Sequence, residues 1–372
     1  MKDDRAWMQL AIKEAKKGLG RTSPNPCVGA VVVKNNRLIA TGYHHQAGTP
    51  HAEVHALRTA GVKARGATIY VTLEPCNHTG KTPPCTQAIL ASGIKRVVVG
   101  MLDPNPLVAG GGCKTLADRG LEVMQGVLAE ECRSLNRPFS KHVTTGLPWV
   151  IMKAGMSLDG RLALASGQCS WITNEQSRRR VHRLRDRVDA ILIGSETALC
   201  DDPALTTRLP GRKGRDPLRV ILDTALRLPV SARMLQQASN APTWIFCGPE
   251  VDVKRAEALV AAGAVIKQVR LDEAGQLDLA AVLCELGRAQ LTSVLVEGGS
   301  RVHGAFLRAN LVDEVQIFVA PIFIGNDGVP LVDSLGLQQI TEAPRFSTTK
   351  VRRFGNDVLI EGLIEKQLVA GS

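Results

Sequence analysis

Three residues of this chain have the types and spacing of a catalytic metal centre: His51, then Cys76 directly after Pro75, then Cys85 after eight intervening residues. One imidazole and two thiolates are the three protein ligands of a catalytic zinc, which keeps its fourth position for water. Zinc lowers the pKa of that water toward neutrality, and a nearby carboxylate can then shuttle its proton. Glu53, two residues after His51, is that carboxylate. The metalloprotease pattern His-Glu-x-x-His is excluded, because Ala52 follows His51. Two plainer readings compete: buried thiols beside an unrelated histidine, and a four-ligand structural zinc recruiting His55 or His78.

Positions 51, 76 and 85 come together only if secondary structure carries them to one place. The first half of the chain alternates helical and strand patterns. A helix near Arg5–Leu19 precedes strands near Val28–Val33 and Leu38–Tyr43, a helix His51–Ala60 and a strand Thr68–Leu73. A helix near Thr86–Ser92, a strand Ile94–Gly100 and a helix–strand pair near Cys113–Met124 close the series. This alternation predicts a helix-covered α/β sheet.

A break at Thr144-Thr145-Gly146-Leu147-Pro148 predicts a domain boundary between 146 and 147, so that domains of 1–146 and 147–372 are expected. A second alternation follows, with strands near Trp149–Ala154, Ala190–Ile193, Arg219–Asp223, Thr243–Cys247, Ser293–Glu297 and Glu314–Ala320. Thr173 is the expected N-cap of a helix there, with Gln176 in the capping-box position. At 372 residues the chain suits two domains.

Composition narrows the function classes. The Gly and Pro counts, 35 and 19, exclude collagen-like and low-complexity chains. The charged start Met1-Lys2-Asp3-Asp4 is unlike a secretory signal, and no apolar run approaches the ~20 residues of a membrane span. A cytoplasmic protein is expected, with its 9 cysteines free or metal-bound. The formal charge is +11, and residues 1–146 hold 19 Lys+Arg against 10 Asp+Glu, a net +9. Such an excess suits an anionic substrate, either a phosphorylated small molecule or RNA.

The His-x-Glu…Pro-Cys…Cys arrangement is that of zinc deaminases, although their second cysteine usually follows the first after two residues. The longer loop here, Thr72-Leu73-Glu74-Pro75-Cys76-Asn77-His78-Thr79-Gly80-Lys81-Thr82-Pro83-Pro84-Cys85, together with His51-Ala52-Glu53-Val54-His55 and Asp103-Pro104-Asn105-Pro106, resembles the bifunctional riboflavin-biosynthesis deaminase/reductase family. In the second half, Lys153-Ala154-Gly155-Met156-Ser157-Leu158-Asp159-Gly160, Asp201-Asp202-Pro203-Ala204-Leu205-Thr206 and Val296-Glu297-Gly298-Gly299-Ser300 resemble its reductase domain.

The resemblance implies an N-terminal cytidine-deaminase-like α/β/α domain and a C-terminal dihydrofolate-reductase-like α/β domain. The implied substrate is a phosphorylated pyrimidine, a diaminopyrimidinone bearing a phosphoribosylamino group. Zn2+ and NADPH are the implied cofactors, and a homo-oligomer without nucleic-acid or membrane partners is expected. Glu53 would be the catalytic proton carrier and His51, Cys76 and Cys85 the metal ligands.

Substrate contacts would be Asn25, His44, His78 and Lys81 in the first domain, and Cys169, Arg185, Leu205, Arg208 and Glu297 in the second. Cys169 stands where the family carries serine. Cofactor contacts would be Gly155, Trp171, Thr197 and Asp201 with the turn Gly299, Ser300, Arg301, Val302, His303, Gly304 and Ala305. Asp201 is also a candidate proton donor in the reduction. The competing class is a tRNA-type base deaminase, for which Arg178-Arg179-Arg180-Val181-His182-Arg183-Leu184-Arg185 would be the nucleic-acid footprint.

Overall fold

The computed structural model describes residues 3–79, 83–106, 108, 111–166 and 171–365. Contacts divide the chain into two compact units, Met1–Gly146 and Leu147–Ser372.

In the first unit α1 (Asp4–Ala15), β1 (Gly29–Lys34), β2 (Arg37–Tyr43), α2 (Ala52–Ala60), β3 (Thr68–Leu73), α3 (Cys85–Ala91), β4 (Arg96–Met101), α4 (Gly111–Asp118), β5 (Glu122–Gln125), α5 (Ala129–Leu135) and α6 (Arg137–Thr145) follow in order. Its described strands form a sheet in the order β2-β1-β3-β4-β5. β1 runs antiparallel to β2 and β3, while β3, β4 and β5 are parallel. Helices cover both faces, so β1 and β3 are buried almost continuously rather than at alternate residues. Trp7, Met8, Ala11, Ile12 and Ala15 form the buried stripe of α1. A Cβ on Gly29 would stand 2.0 Å from the Ala11 carbonyl oxygen, so only glycine lets α1 sit this close on β1. The helices α5 and α6 lie beyond the series that the sequence pattern predicts.

The second unit runs β6 (Trp149–Ser157), β7 (Arg161–Leu164), α7 (Glu175–Arg185), β8 (Ala190–Gly194), α8 (Ser195–Asp201), β9 (Leu218–Leu222), α9 (Arg233–Gln236), β10 (Thr243–Cys247), α10 (Val253–Ala261) and β11 (Ala264–Gln268). Then come α11 (Leu279–Arg288), β12 (Ser293–Val296), α12 (Ser300–Arg308), β13 (Glu314–Ala320), β14 (Gly328–Pro330), β15 (Phe346–Phe354) and β16 (Asp357–Ile364). The main sheet has the order β11-β10-β9-β8-β12-β6-β13-β16-β15. It is parallel from β11 to β13 and antiparallel at the β13–β16–β15 edge.

One capping expectation is corrected. Asn174, not Thr173, caps α7: its side chain accepts from the Ser177 amide at 3.1 Å and donates to the Phe354 carbonyl at 2.6 Å. Its own amide donates to Asp357 at 2.8 Å, so the β15–β16 hairpin selects the cap. Thr173 instead turns its methyl group toward Gly155, where a Cβ would lie 2.9 Å from it.

Candidate active sites

The first site gathers at the C-terminal end of β3 and the starts of α2 and α3. His51 is the N-cap of α2, Glu53 lies in that helix's first turn, Cys76 follows β3, and Cys85 opens α3. His51 Nδ1 is 3.2 Å from Cys85 Sγ and 3.5 Å from Cys76 Sγ, and all three donor atoms lie within 4.8 Å of one another. Adjacent donors around a tetrahedral zinc stand about 3.5–3.8 Å apart, given Zn–S and Zn–N bond lengths. Among the described residues no fourth His, Cys or carboxylate joins the group, which leaves out His55 and His78.

The protonation of this cluster also fits a cation. The Cys76 thiol is held well below the usual thiol range by its hydrogen bond with Cys85, and the Cys85 thiol is pushed up by that same bond and by burial. His51 is raised by its hydrogen bond to Cys76. Two sulfurs and an imidazole thus compete for protons that a divalent cation would displace. The Cys85 amide, at the α3 N-terminus, donates to Cys76 Sγ at 3.4 Å and favours its thiolate.

Glu53 is 3% exposed, and its Oε2 has no hydrogen-bond partner. Burial pushes its carboxyl up to about 7, against the pull of His51. A carboxyl that titrates near neutrality can take a proton and return it. It faces a cleft of about 380 Å³ that Asn25, His44, His51, Cys76 and His78 also line.

His44 is buried, with Nδ1 3.2 Å from the Pro50 carbonyl and Nε2 3.2 Å from Asn25 Nδ2. These partners fix its tautomer, with Nδ1–H donating and Nε2 accepting, and burial lowers its pKa so that it stays neutral. His78 is exposed at the cleft edge. Lys81 lies outside the described residues. Sequence reasoning missed Thr49, Asp103, Asn105 and Phe139, which line the same cleft. The Asp103–Pro106 motif marked two of them, but nothing local marks Phe139.

The second site collects at the C-terminal ends of the neighbouring strands β8, β12 and β6, the edge where parallel sheets bind ligands. Gly155 lies on β6, Thr197 and Asp201 on α8 after β8, and Glu297 directly after β12. Segment 299–305 forms the turn into α12 and the helix's first turns. A Cβ on Gly299 would lie 3.4 Å from Thr197 Oγ1, which places those two together. Ser300 Oγ and His303 Nε2 are buried without a hydrogen-bond partner, and such atoms in a glycine-rich turn fit a polar cofactor. Trp171 is 74% exposed with the Arg178 guanidinium 5.1 Å from its ring centroid, and Asp201 is exposed at the end of α8. Cys169 lies outside the described residues.

Arg185 reaches Glu297 through Nε at 2.8 Å and Nη2 at 2.9 Å, and Lys153, which sequence reasoning left without a role, adds a third contact at 3.3 Å. Burial opposes the charge of Glu297, but Arg185 and Lys153 outweigh it and hold its carboxyl far below the usual range. The Arg208 amide donates to His182 Nδ1 at 3.3 Å. Burial, Arg185 and Arg208 push His182 down to about 4. Arg208 itself is lowered by burial and by Arg185 and Arg233. Cations crowded in this way favour an anion among them. Leu205 is 3% exposed with φ 51°, so its side chain belongs to the core.

Taken together, the three-donor centre with its buried glutamate and the second site, with its glycine-rich turn at the C-terminal ends of parallel strands, define a zinc deaminase joined to a reductase. The family model for the "Cytidine and deoxycytidylate deaminase zinc-binding region" matches residues 1–101, and that for the "RibD C-terminal domain" matches residues 148–360. The chain is 42% identical to the riboflavin biosynthesis protein RibD of Escherichia coli (strain K12) over 369 residues, covering 96% of this chain and 98% of that one. It superposes on Acinetobacter baumannii RibD with a TM-score of 0.87 at 38% identity, covering 97% and 99% of the two chains. A Thermotoga maritima diaminohydroxyphosphoribosylaminopyrimidine deaminase/5-amino-6-(5-phosphoribosylamino)uracil reductase gives a TM-score of 0.84 at 38% identity, covering 97% and 98%.

The chain belongs to the RibD family. It is a bifunctional deaminase/reductase of riboflavin biosynthesis, with zinc serving the first activity and NADPH the second. No described helix is long and apolar enough to cross a membrane.

Proposed function

We propose that residues 1–146 deaminate 2,5-diamino-6-(5-phosphoribosylamino)pyrimidin-4(3H)-one and that residues 147–372 then reduce the ribosyl group of the product to a ribityl chain. Glu53 carries the reading, being buried with a partnerless oxygen beside a three-donor centre in one cleft. His51, Cys76 and Cys85 would hold the zinc, which when bound lowers the pKa of water toward neutrality. Glu53 takes a proton from the attacking water and delivers protons to the ring nitrogen and the departing amine, so that C–NH2 and water become C=O and ammonia. Neutral His44 holds Asn25, and Asn25, His44, His78 and Lys81 bind the pyrimidine and its phosphate.

In the second unit Gly155, Trp171, Thr197, Asp201 and the 299–305 turn hold NADPH, which supplies the reducing equivalents. Arg185, Glu297, Arg208, Cys169 and the backbone of Leu205, whose side chain lies in the core, form the substrate side. Arg208, in its cationic surroundings, takes the phosphate. The protein works in the cytoplasm as a homo-oligomer on a small molecule, without nucleic acid.

The tRNA-type reading has less support. On α7, Arg178 donates to the Thr173 carbonyl, Arg179 to Glu175, Arg180 to Glu361 and Arg185 to Glu297. Those arginines are engaged within their own unit rather than arrayed for phosphates.

The test follows ammonia release and NADPH oxidation together on the purified protein and the diaminopyrimidinone, with Glu53→Ala as control. Wild type should release ammonia and then consume NADPH, and the variant should do neither unless given the deaminated intermediate. Zinc-loaded wild type that releases no ammonia would sink the assignment.

A further inference from the structure

We infer that Asn136 is a positioning residue for deamination: it clamps the backbone of Cys27 and so sets where Asn25 stands in the cleft. The inference rests on the proposal that this cleft deaminates the phosphoribosylamino pyrimidine with Asn25 against it.

Asn136 is 2% exposed and sits between α5 and α6. Its Oδ1 accepts from the Cys27 amide at 2.8 Å, and its Nδ2 donates to the Cys27 carbonyl at 3.1 Å. A primary amide has the donor and acceptor of a peptide group, so it pairs with Cys27 as a residue on a neighbouring strand would. Asn136 is itself fixed on both sides, its amide donating to Arg133 at 3.0 Å and its carbonyl accepting from Ser140 at 2.8 Å.

The segment it grips joins α1 to β1 and is not itself a strand. The Asn25 amide turns back onto the Thr22 carbonyl at 2.8 Å, and Thr22 Oγ1 lies 3.2 Å from Cys27 Sγ. Two residues before the clamp, Asn25 reaches into the cleft and meets His44. One turn after Asn136, Phe139 of α6 lines the same cleft. Asn136 and Phe139 both lie beyond residues 1–101, the stretch that matches the deaminase zinc-binding region. The α5–α6 pair thus supplies Phe139 to the cleft wall and, through Asn136, holds the segment that carries Asn25.

The test is a double-mutant cycle on the full-length zinc enzyme, with Asn136→Ala, Asn136→Asp, Asn25→Ala and the double variant Asn25→Ala/Asn136→Ala. Ammonia release against substrate concentration, zinc content and reduction of supplied deaminated intermediate are measured for each. Asn136→Ala should raise KM about tenfold with kcat within about threefold, since misplacing a binding group costs substrate affinity first. Its zinc content and its reductase rate should match wild type. Asn136→Asp keeps the shape and the acceptor for the Cys27 amide, and its KM should fall between the two. In the Asn25→Ala background Asn136→Ala should add no more than about twofold, because its effect passes through Asn25.

An unchanged KM in Asn136→Ala overturns the inference, as does a full tenfold increase on top of Asn25→Ala. So does a joint fall of kcat and zinc content, which would mark a general structural role. If Asn136→Ala does not fold, Asn136→Asp decides by its KM at full zinc content. Wild type that releases no ammonia removes the underlying deaminase reading, whereas active wild type beside an unaffected Asn136→Ala removes this inference alone.

Discussion

Arg185 and Glu297 face each other through two parallel hydrogen bonds, at 2.8 and 2.9 Å, with both side chains largely withdrawn from water. A guanidinium fork on a carboxylate fixes direction as well as charge. Arg185→Ala would leave the Glu297 carboxylate buried with Lys153 alone, and breaking such a pair costs about 3–5 kcal/mol. We expect reduction of the deaminated intermediate to fall by at least about a hundredfold in kcat/KM, the scale of a lost positioning contact. Arg185→Lys should recover little, because an ammonium cannot make the fork. Ammonia release should stay at the wild-type rate in both variants, and a loss of both activities together would refute a role confined to the reductase.

Cys85→Ser should lose zinc and deamination together. Serine is a poor replacement for a thiolate, and the site holds three donors with no fourth among the described residues. Metal analysis of the purified variant should find far less than one zinc per chain, and chelated wild type should behave alike. Full zinc occupancy in Cys85→Ser would show that other residues bind the metal.

Gly112→Ala should damage the same centre without touching a ligand. A Cβ at position 112 would lie 1.9 Å from the carbonyl oxygen of Pro75, the residue before Cys76. Backbone cannot yield as a flexible side chain does, so α4 or the Pro75–Cys76 segment must shift. We expect zinc affinity to drop about 10–100-fold, the usual cost of disturbing the support of a metal ligand, and a zinc titration with a competing chelator would measure it. Unaltered affinity would mean that α4 moves instead.

His303 makes a pH prediction for the second unit. Burial holds its imidazole down to about 4, with Lys153 adding to the effect, against 6.5 for a free histidine. Between those values the unfolded chain binds a proton that the folded chain refuses. The contribution is therefore fully present above pH 6.5 and is lost as pH falls toward 4, by up to about 3 kcal/mol. His182 is depressed in the same direction. Glu297, held low, contributes stability that is lost only below its unfolded value of 4.5, so measurements above pH 5 separate it from the histidines. Urea midpoints read by Trp149 and Trp244 fluorescence should fall from pH 7 to pH 5 in wild type and fall less in His303→Asn. Parallel curves would clear His303.

The legible part of this protein is the part whose chemistry is local. The strand Thr68–Leu73 carries a β-branched and aromatic signal, and the α2 helix follows a clear pattern from His51 onward. Cys76 and His51 therefore announce themselves at the ends of readable elements. The cap of α7 was not readable, because Thr173 and Asn174 are both good caps. The choice falls to Asn174 through Phe354 and Asp357, 180 and 183 residues away.

By itself the sequence determined the donor types of the metal centre, the glutamate beside it and the presence of two α/β halves. Each depends on residue identity and short spacing. Tertiary structure alone decided that Lys153 joins Arg185 at Glu297, that Phe139 walls the deaminase cleft and that Asn136 grips Cys27 across 109 residues. A lone asparagine between two helices looks like any cap in a sequence. Its role appears only when folding buries it against a backbone that needs both its donor and its acceptor.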